Sequence, residues 1–128
     1  MMKAFEDFKN LSPKAPLRLL HLSDLHLCPE YGGEKQKAGL LEILNRPHDL
    51  IVYSGDMIEY DNYQDMDWLF QYKTNFVFVP GNHDVWPRPE LTNKGDLQKH
   101  FEWQLNYPKS FNLLPGLQMI LINSTIEN

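Results

Sequence analysis

The sequence predicts an α/β domain built on a parallel sheet. Three short apolar runs, at 17–23, 49–53 and 76–79, have the length and flanking breakers of buried strands. Two stretches between them carry helical spacing: 34–45, with Ala38, Leu41 and Leu44 or Asn45, and 63–72, with Met66, Leu69 and Phe70. Strands that alternate with helices imply right-handed crossovers, and these place the strands side by side and parallel. The chain has 128 residues, of which 42% are hydrophobic and 23% charged, enough for one core and outside the range of disordered chains.

Each element follows from its residues. Residues 1–16 end in Ser12-Pro13-Lys14-Ala15-Pro16 and read as a lead-in arm, with the domain occupying 17–128. Strand 17–23 is apolar enough to be buried on both faces. The first helix stops before Pro47, and the second opens on the acidic stretch around Asp61, Asp65 and Asp67, which suits a helix N-terminus. The third strand closes at Pro80-Gly81. Leu97, Phe101 and Leu105 then mark another helix. Residues 111–113 and 117–122, joined across Leu114-Pro115-Gly116, read as an antiparallel hairpin, and 123–128 as a loop-like exit.

Composition narrows the function. Twelve Lys and Arg against 17 Asp and Glu give a net charge of −5, without the basic footprint of a general nucleic-acid binder. A nucleic-acid substrate gripped through metal ions is compatible with that charge but not indicated by it. No apolar run approaches the ~20 residues that cross a bilayer, and charges interrupt the N-terminus, so neither a membrane span nor a cleaved leader is expected. Cys28 is the single cysteine, so no intrachain disulfide can form. A lone thiol fits a reducing compartment, and the expected location is the cytoplasm. Nothing in the sequence sets an oligomeric state.

The polar residues are the informative part. The first strand runs into Asp24-Leu25-His26, the second into Gly55-Asp56-Met57-Ile58-Glu59, the third into Gly81-Asn82-His83-Asp84. Functional groups of an open parallel sheet gather beyond the carboxyl ends of its strands. Carboxylate and imidazole donors such as Asp24, His26 and Asp56 suit Mn, Fe or Zn. A carboxylate between two strands can bridge two cations, Asn82 adds a carbonyl oxygen, and a pair of cations can clamp the oxygens of an in-line phosphoryl displacement. His83 can protonate a leaving group, with Asp84 orienting its ring. Gly55 and Gly81 allow sharp turns and close approach.

In order, spacing and strand context, these three motifs resemble the calcineurin-like metallophosphoesterase family over roughly residues 17–125. The resemblance implies two packed mixed sheets flanked by helices. It implies that Asp24 and His26 bind a first divalent metal, that Asp56 bridges both metals, that Asn82 binds the second, and that His83 and Asp84 are catalytic, Asp84 as the partner of His83. The implied reaction is hydrolysis of a phosphomonoester or phosphodiester substrate by in-line attack of a metal-bound hydroxide. Family members add later histidines, including a Gly-His-x-His, and here His100 is the only histidine after His83. The second metal is therefore expected to be weakly held. The chain is expected to be the N-terminal portion of a longer enzyme, its second sheet only begun and an apolar sheet face left exposed. The alternatives are a non-catalytic scaffold of the same fold, or a degenerate member that binds one metal.

Other residues read more simply. Glu59 is expected beside the ligands or at the surface rather than on a metal. His21 is expected as a hydrogen-bonded core residue, His48 as solvated, His100 as a surface residue and Cys28 as a quiet buried thiol. Trp103 and Tyr107 read as packing, and Trp86 and Arg88 follow the third motif closely enough to be candidates for a substrate pocket.

Overall fold

Five elements alternate along the first part of the chain: β1 (Leu19–Leu22), α1 (Glu34–Leu44), β2 (Leu50–Tyr53), α2 (Tyr63–Tyr72) and β3 (Phe76–Phe78). A short α3 (Asn82–Val85) follows, then β4 (Ser110–Leu114) and β5 (Leu117–Ile120). The computed structural model describes residues 16–30, 32–59, 62–85 and 110–122. The helix expected around Leu97, Phe101 and Leu105 lies outside them, as do residues 1–15 of the arm and the exit at 123–128.

The first three strands form a parallel sheet in the order β1-β2-β3, and β4 pairs antiparallel with β5. The register aligns Leu20 with Ile51 and Phe76, and Leu22 with Tyr53 and Phe78. Side chains alternate between faces along a strand, so these six share one face. They pack with Leu40 and Leu44 of α1 and with Met66, Leu69 and Phe70 of α2. Phe70 stacks on Phe76 with ring centroids 4.6 Å apart and meets Phe78 edge-on at 5.0 Å. Each large apolar side chain buried this way contributes about 1.5–3 kcal/mol. The opposite face carries Leu50, Val52 and Val77, which pack against Leu113, Met119 and Leu121 of the hairpin segment.

A polar clamp joins the two helices. Lys37 Nζ lies 2.7 Å from Asp65 Oδ1 and 5.1 Å above the Trp68 ring. Asp65 is in the first turn of α2, as expected of an acidic helix start, and it is also buried. Its other oxygen accepts from Asn62 Nδ2. Among the described residues, no helix is long and apolar enough to cross a membrane.

Several expectations are corrected. β1 is not buried on both faces: it is an edge strand, and Leu19 is 47% exposed. His21 is exposed rather than in the core, because the hairpin covers the sheet over β2 and β3, and its Nε2 pairs with Ser54 Oγ at 2.6 Å. In α1 the buried stripe is Leu40 and Leu44, an i, i+4 pair, while Ala38 is exposed. Among the described residues the first sheet is parallel and the second, small one antiparallel, which agrees with the expected α/β architecture of two sheets. The second face of the parallel sheet is covered by the hairpin over β2 and β3 and stays open over β1, at Leu19 and His21. Among the described residues, apolar exposure is found on the hairpin as well, at Leu117, Ile120 and Ile122.

Candidate metal centre

The three polar motifs meet at the carboxyl edge of the parallel sheet. The first two are joined by main-chain hydrogen bonds that continue past the strands. Asp24 N–H donates to Gly55 O at 2.9 Å, His26 N–H to Asp56 O at 3.0 Å, Leu27 N–H to Met57 O at 2.9 Å and Glu59 N–H to Leu27 O at 3.2 Å. Leu27 and Ile58 form a parallel bridge and are both buried. The donors thus sit on an extension of the sheet.

Their backbone is unusual. Asp24, His26 and Asp56 have φ of 56°, 48° and 54°, and they are the only non-glycine residues with positive φ among those described. Left-handed backbone costs an L-residue about 1–2 kcal/mol, and Asn, Asp and His adopt it more often than other non-glycine residues. Such conformations persist where the surrounding structure enforces them, and they cluster at functional sites.

Two glycines let the second and third motifs touch. Gly55 has φ 112°, and a Cβ there would stand 2.9 Å from Gly81 N. A Cβ on Gly81 would stand 2.2 Å from Asp56 Oδ1 and 2.6 Å from Asp56 N. Only glycine fits at either position without moving backbone.

Ligand atoms of Asp24, His26 and Asp56 lie within 4.8 Å of one another. His26 Nε2 is 3.7 Å from Asp24 Oδ1, and the Asp24 side chain is 66% exposed. Asp56 Oδ1 accepts from His83 N–H at 3.0 Å. Two carboxylates and an imidazole are a donor set that fits a borderline-hard divalent cation. Asn82 opens α3, exposed, next to His83.

His26, Glu59 and His83 form a second group, also within 4.8 Å. Glu59 is 6% exposed, a buried carboxylate rather than a surface one. One oxygen meets His26 Nδ1 and the other lies 3.1 Å from His83 Nδ1. The two rings stand edge to face with centroids 4.9 Å apart. An ionised carboxylate only accepts, so against one each ring donates from Nδ1, and a neutral ring then presents its lone pair at Nε2. For His26 that lone pair is on the nitrogen nearer Asp24. Glu59 lies three residues beyond Asp56 and just after buried Met57 and Ile58, the one sequence signal that its carboxylate turns inward.

Asp84 does not play the part expected of it. It is fully buried, and its oxygens are taken by the main chain. Oδ2 accepts from Asp56 N–H at 2.7 Å and Gly81 N–H at 2.8 Å, and Oδ1 from Met57 N–H at 2.8 Å and Ile58 N–H at 3.1 Å. Glu59, rather than Asp84, faces the His83 ring. Burial pushes the Asp84 carboxyl up to about 6, against the pull of the four N–H donors. The motif shows that an acid follows His83 but carries no signal of which atoms it meets.

The remaining expectations divide. Cys28 is buried, with its thiol on Glu30. His48 is half-buried, its Nδ1 on Arg46 O at 2.7 Å. His100, Trp86, Arg88, Trp103 and Tyr107 lie outside the described residues.

No curated protein and no solved structure matches the chain. The family model described as calcineurin-like phosphoesterase matches residues 17–126, which span the parallel sheet, all three polar motifs and the hairpin. With the motif residues gathered at one sheet edge and most of its length matched, the chain belongs to the calcineurin-like phosphoesterase family.

Proposed function

We propose that this edge of the sheet is the metal-dependent centre of a phosphoesterase, acting on a phosphomonoester or phosphodiester. The observation that carries the reading is the convergence of Asp24, His26 and Asp56, each on left-handed backbone, within reach of one cation. Asp24 and His26 would hold a first divalent metal. Asp56 would bridge to a second, with Asn82 as its further ligand. Manganese, iron and zinc all suit this set. Bound cations of this kind supply Lewis acidity and an activated water.

The protein's own groups do the rest. His26 presents Nε2 because Glu59 fixes its tautomer. His83, held at Nδ1 by the same carboxylate, would turn Nε2 to the leaving oxygen and, once that nitrogen is protonated, give it the proton. Asp56 Oδ1 accepts from the His83 main chain, a contact that steadies the carboxylate that would bind the metals.

The test is hydrolysis of a chromogenic phosphodiester and the matching monoester with added Mn²⁺. Asp56→Asn should abolish turnover, and His83→Ala should reduce it by ~10²–10⁴-fold. Metal-independent turnover, or turnover unchanged in both variants, overturns the reading. A second reading has one observation in its favour: Asp24, His26 and Asp56 make a ligand set for one cation. Calorimetry that gives one tightly bound Mn²⁺ per chain without turnover would support a single-metal, non-hydrolytic member.

A further inference from the structure

We propose that Asp84 is a positioning residue for the metal centre, acting through the main chain of Asp56. The inference rests on reading Asp24, His26 and Asp56 as metal ligands. It begins with the four N–H groups that converge on one fully buried carboxylate. Three of them, from Asp56, Met57 and Ile58, are consecutive, and the fourth belongs to Gly81. One side chain therefore ties the second motif to the third.

The tie is reciprocal. Asp84 accepts from Asp56 N–H, and Asp56 Oδ1 accepts from His83 N–H at 3.0 Å. Asp56 is one of three non-glycine residues in left-handed backbone, a conformation it would leave if nothing held it. Its N–H is fixed by Asp84 from one side, while its C=O is fixed by His26 N–H from the other. Between them these bonds set where the Asp56 carboxylate stands relative to Asp24 and His26. The contact also explains Gly81, whose missing Cβ is the space that Asp56 Oδ1 and N occupy.

The carboxylate is needed in its full form. Each oxygen serves two donors, so an amide in either orientation turns an NH₂ group towards two N–H groups. Asp84→Asn keeps the volume and loses half of the acceptors.

The experiment is Mn²⁺ titration by calorimetry of the 128-residue chain, with thermal melts in parallel. Wild type should bind. Asp84→Asn should bind ~10–100-fold more weakly, the range seen when groups behind metal ligands are removed. Met66→Ala, in the helix-facing core, should lower the melting temperature and leave Mn²⁺ affinity unchanged. Wild-type affinity in folded Asp84→Asn overturns the proposal, as does an equal loss of affinity in Met66→Ala, which would mean that stability alone is being read. If wild type itself binds no Mn²⁺, the metal-centre reading fails and this inference with it. Should Asp84→Asn not fold, hydrogen exchange on the wild-type chain decides. Slow exchange at the amides of Asp56, Met57, Ile58 and Gly81 supports the tie, and exchange at free-loop rates overturns it.

Discussion

Glu59 and His83 face each other, carboxylate oxygen to Nδ1, at 3.1 Å. The other oxygen of Glu59 holds His26, so one buried acid sets the tautomer of two histidines. Glu59→Gln puts a donor on one of those contacts and releases that ring to the other tautomer. Hydrolysis of a chromogenic phosphoester by Glu59→Gln should fall by about 10²-fold or more, with Mn²⁺ affinity down ~10-fold. Unchanged turnover would show that neither imidazole depends on this carboxylate.

Gly81→Ala tests the contact between the second and third motifs. The added Cβ would meet Asp56 Oδ1 at 2.2 Å and Asp56 N at 2.6 Å. The nitrogen is backbone and cannot swing away, so the two loops must separate. Overpacking of this kind costs about 1–3 kcal/mol. A lower urea midpoint and weaker Mn²⁺ binding are expected together. Loss of stability without loss of binding would place the strain elsewhere.

The buried acid at position 84 gives a pH dependence of defined sign. Its folded value of about 6 lies above its ordinary 3.8, so the native state holds the proton more tightly than the unfolded chain does. Stability from this group is fully present below the ordinary value and is lost as pH rises through about 6. At ~1.4 kcal/mol per unit of pH, the effect is at most about 3 kcal/mol. Urea unfolding of metal-free protein from pH 4 to pH 7 measures it, as wild type minus Asp84→Asn. A difference that grows with pH would contradict it.

Tyr53 offers a change in the opposite direction. Its hydroxyl is buried with no hydrogen-bond partner among the described residues, and burial pushes the phenol well above its ordinary value, so it stays neutral. Tyr53→Phe removes an unsatisfied polar atom and keeps the ring contacts with Phe70 and Phe76. Stability should rise by about 1 kcal/mol, read as a higher urea midpoint. A fall would reveal a partner for the hydroxyl.

The three parallel strands, α1, α2 and the hairpin could be placed from the sequence because apolar runs and helical spacing mark the elements that build a core. The meeting of Asp24, His26, Asp56 and His83 could be read because parallel topology sends the ends of neighbouring strands to one edge. What could not be read was which partner each polar atom would find. His21 had the surroundings of a core residue, yet it sits on an edge strand that the hairpin does not reach. Asp84 followed a histidine, yet three of the four N–H groups on its oxygens come from main chain 26–28 residues earlier. Glu59 looked peripheral, and its depth comes from the pairing of Leu27 with Ile58. Hydrogen bonds that span such separations leave no periodic trace in a sequence.

The main-chain ladder between residues 24–27 and 55–59 has a consequence for how this chain tolerates change in length. The site residues inherit their alignment from the pairing of β1 with β2, which the apolar contacts of Leu20, Leu22, Ile51 and Tyr53 hold in place. Deleting one residue within β1 would force a choice between keeping the oily side chains inward and keeping Asp24 opposite Gly55. A deletion among 46–48, ahead of the Asp49 N–H bond to Arg18 O, would leave that pairing in register. Core and chemistry are written in one reading frame here, so selection on either constrains the other.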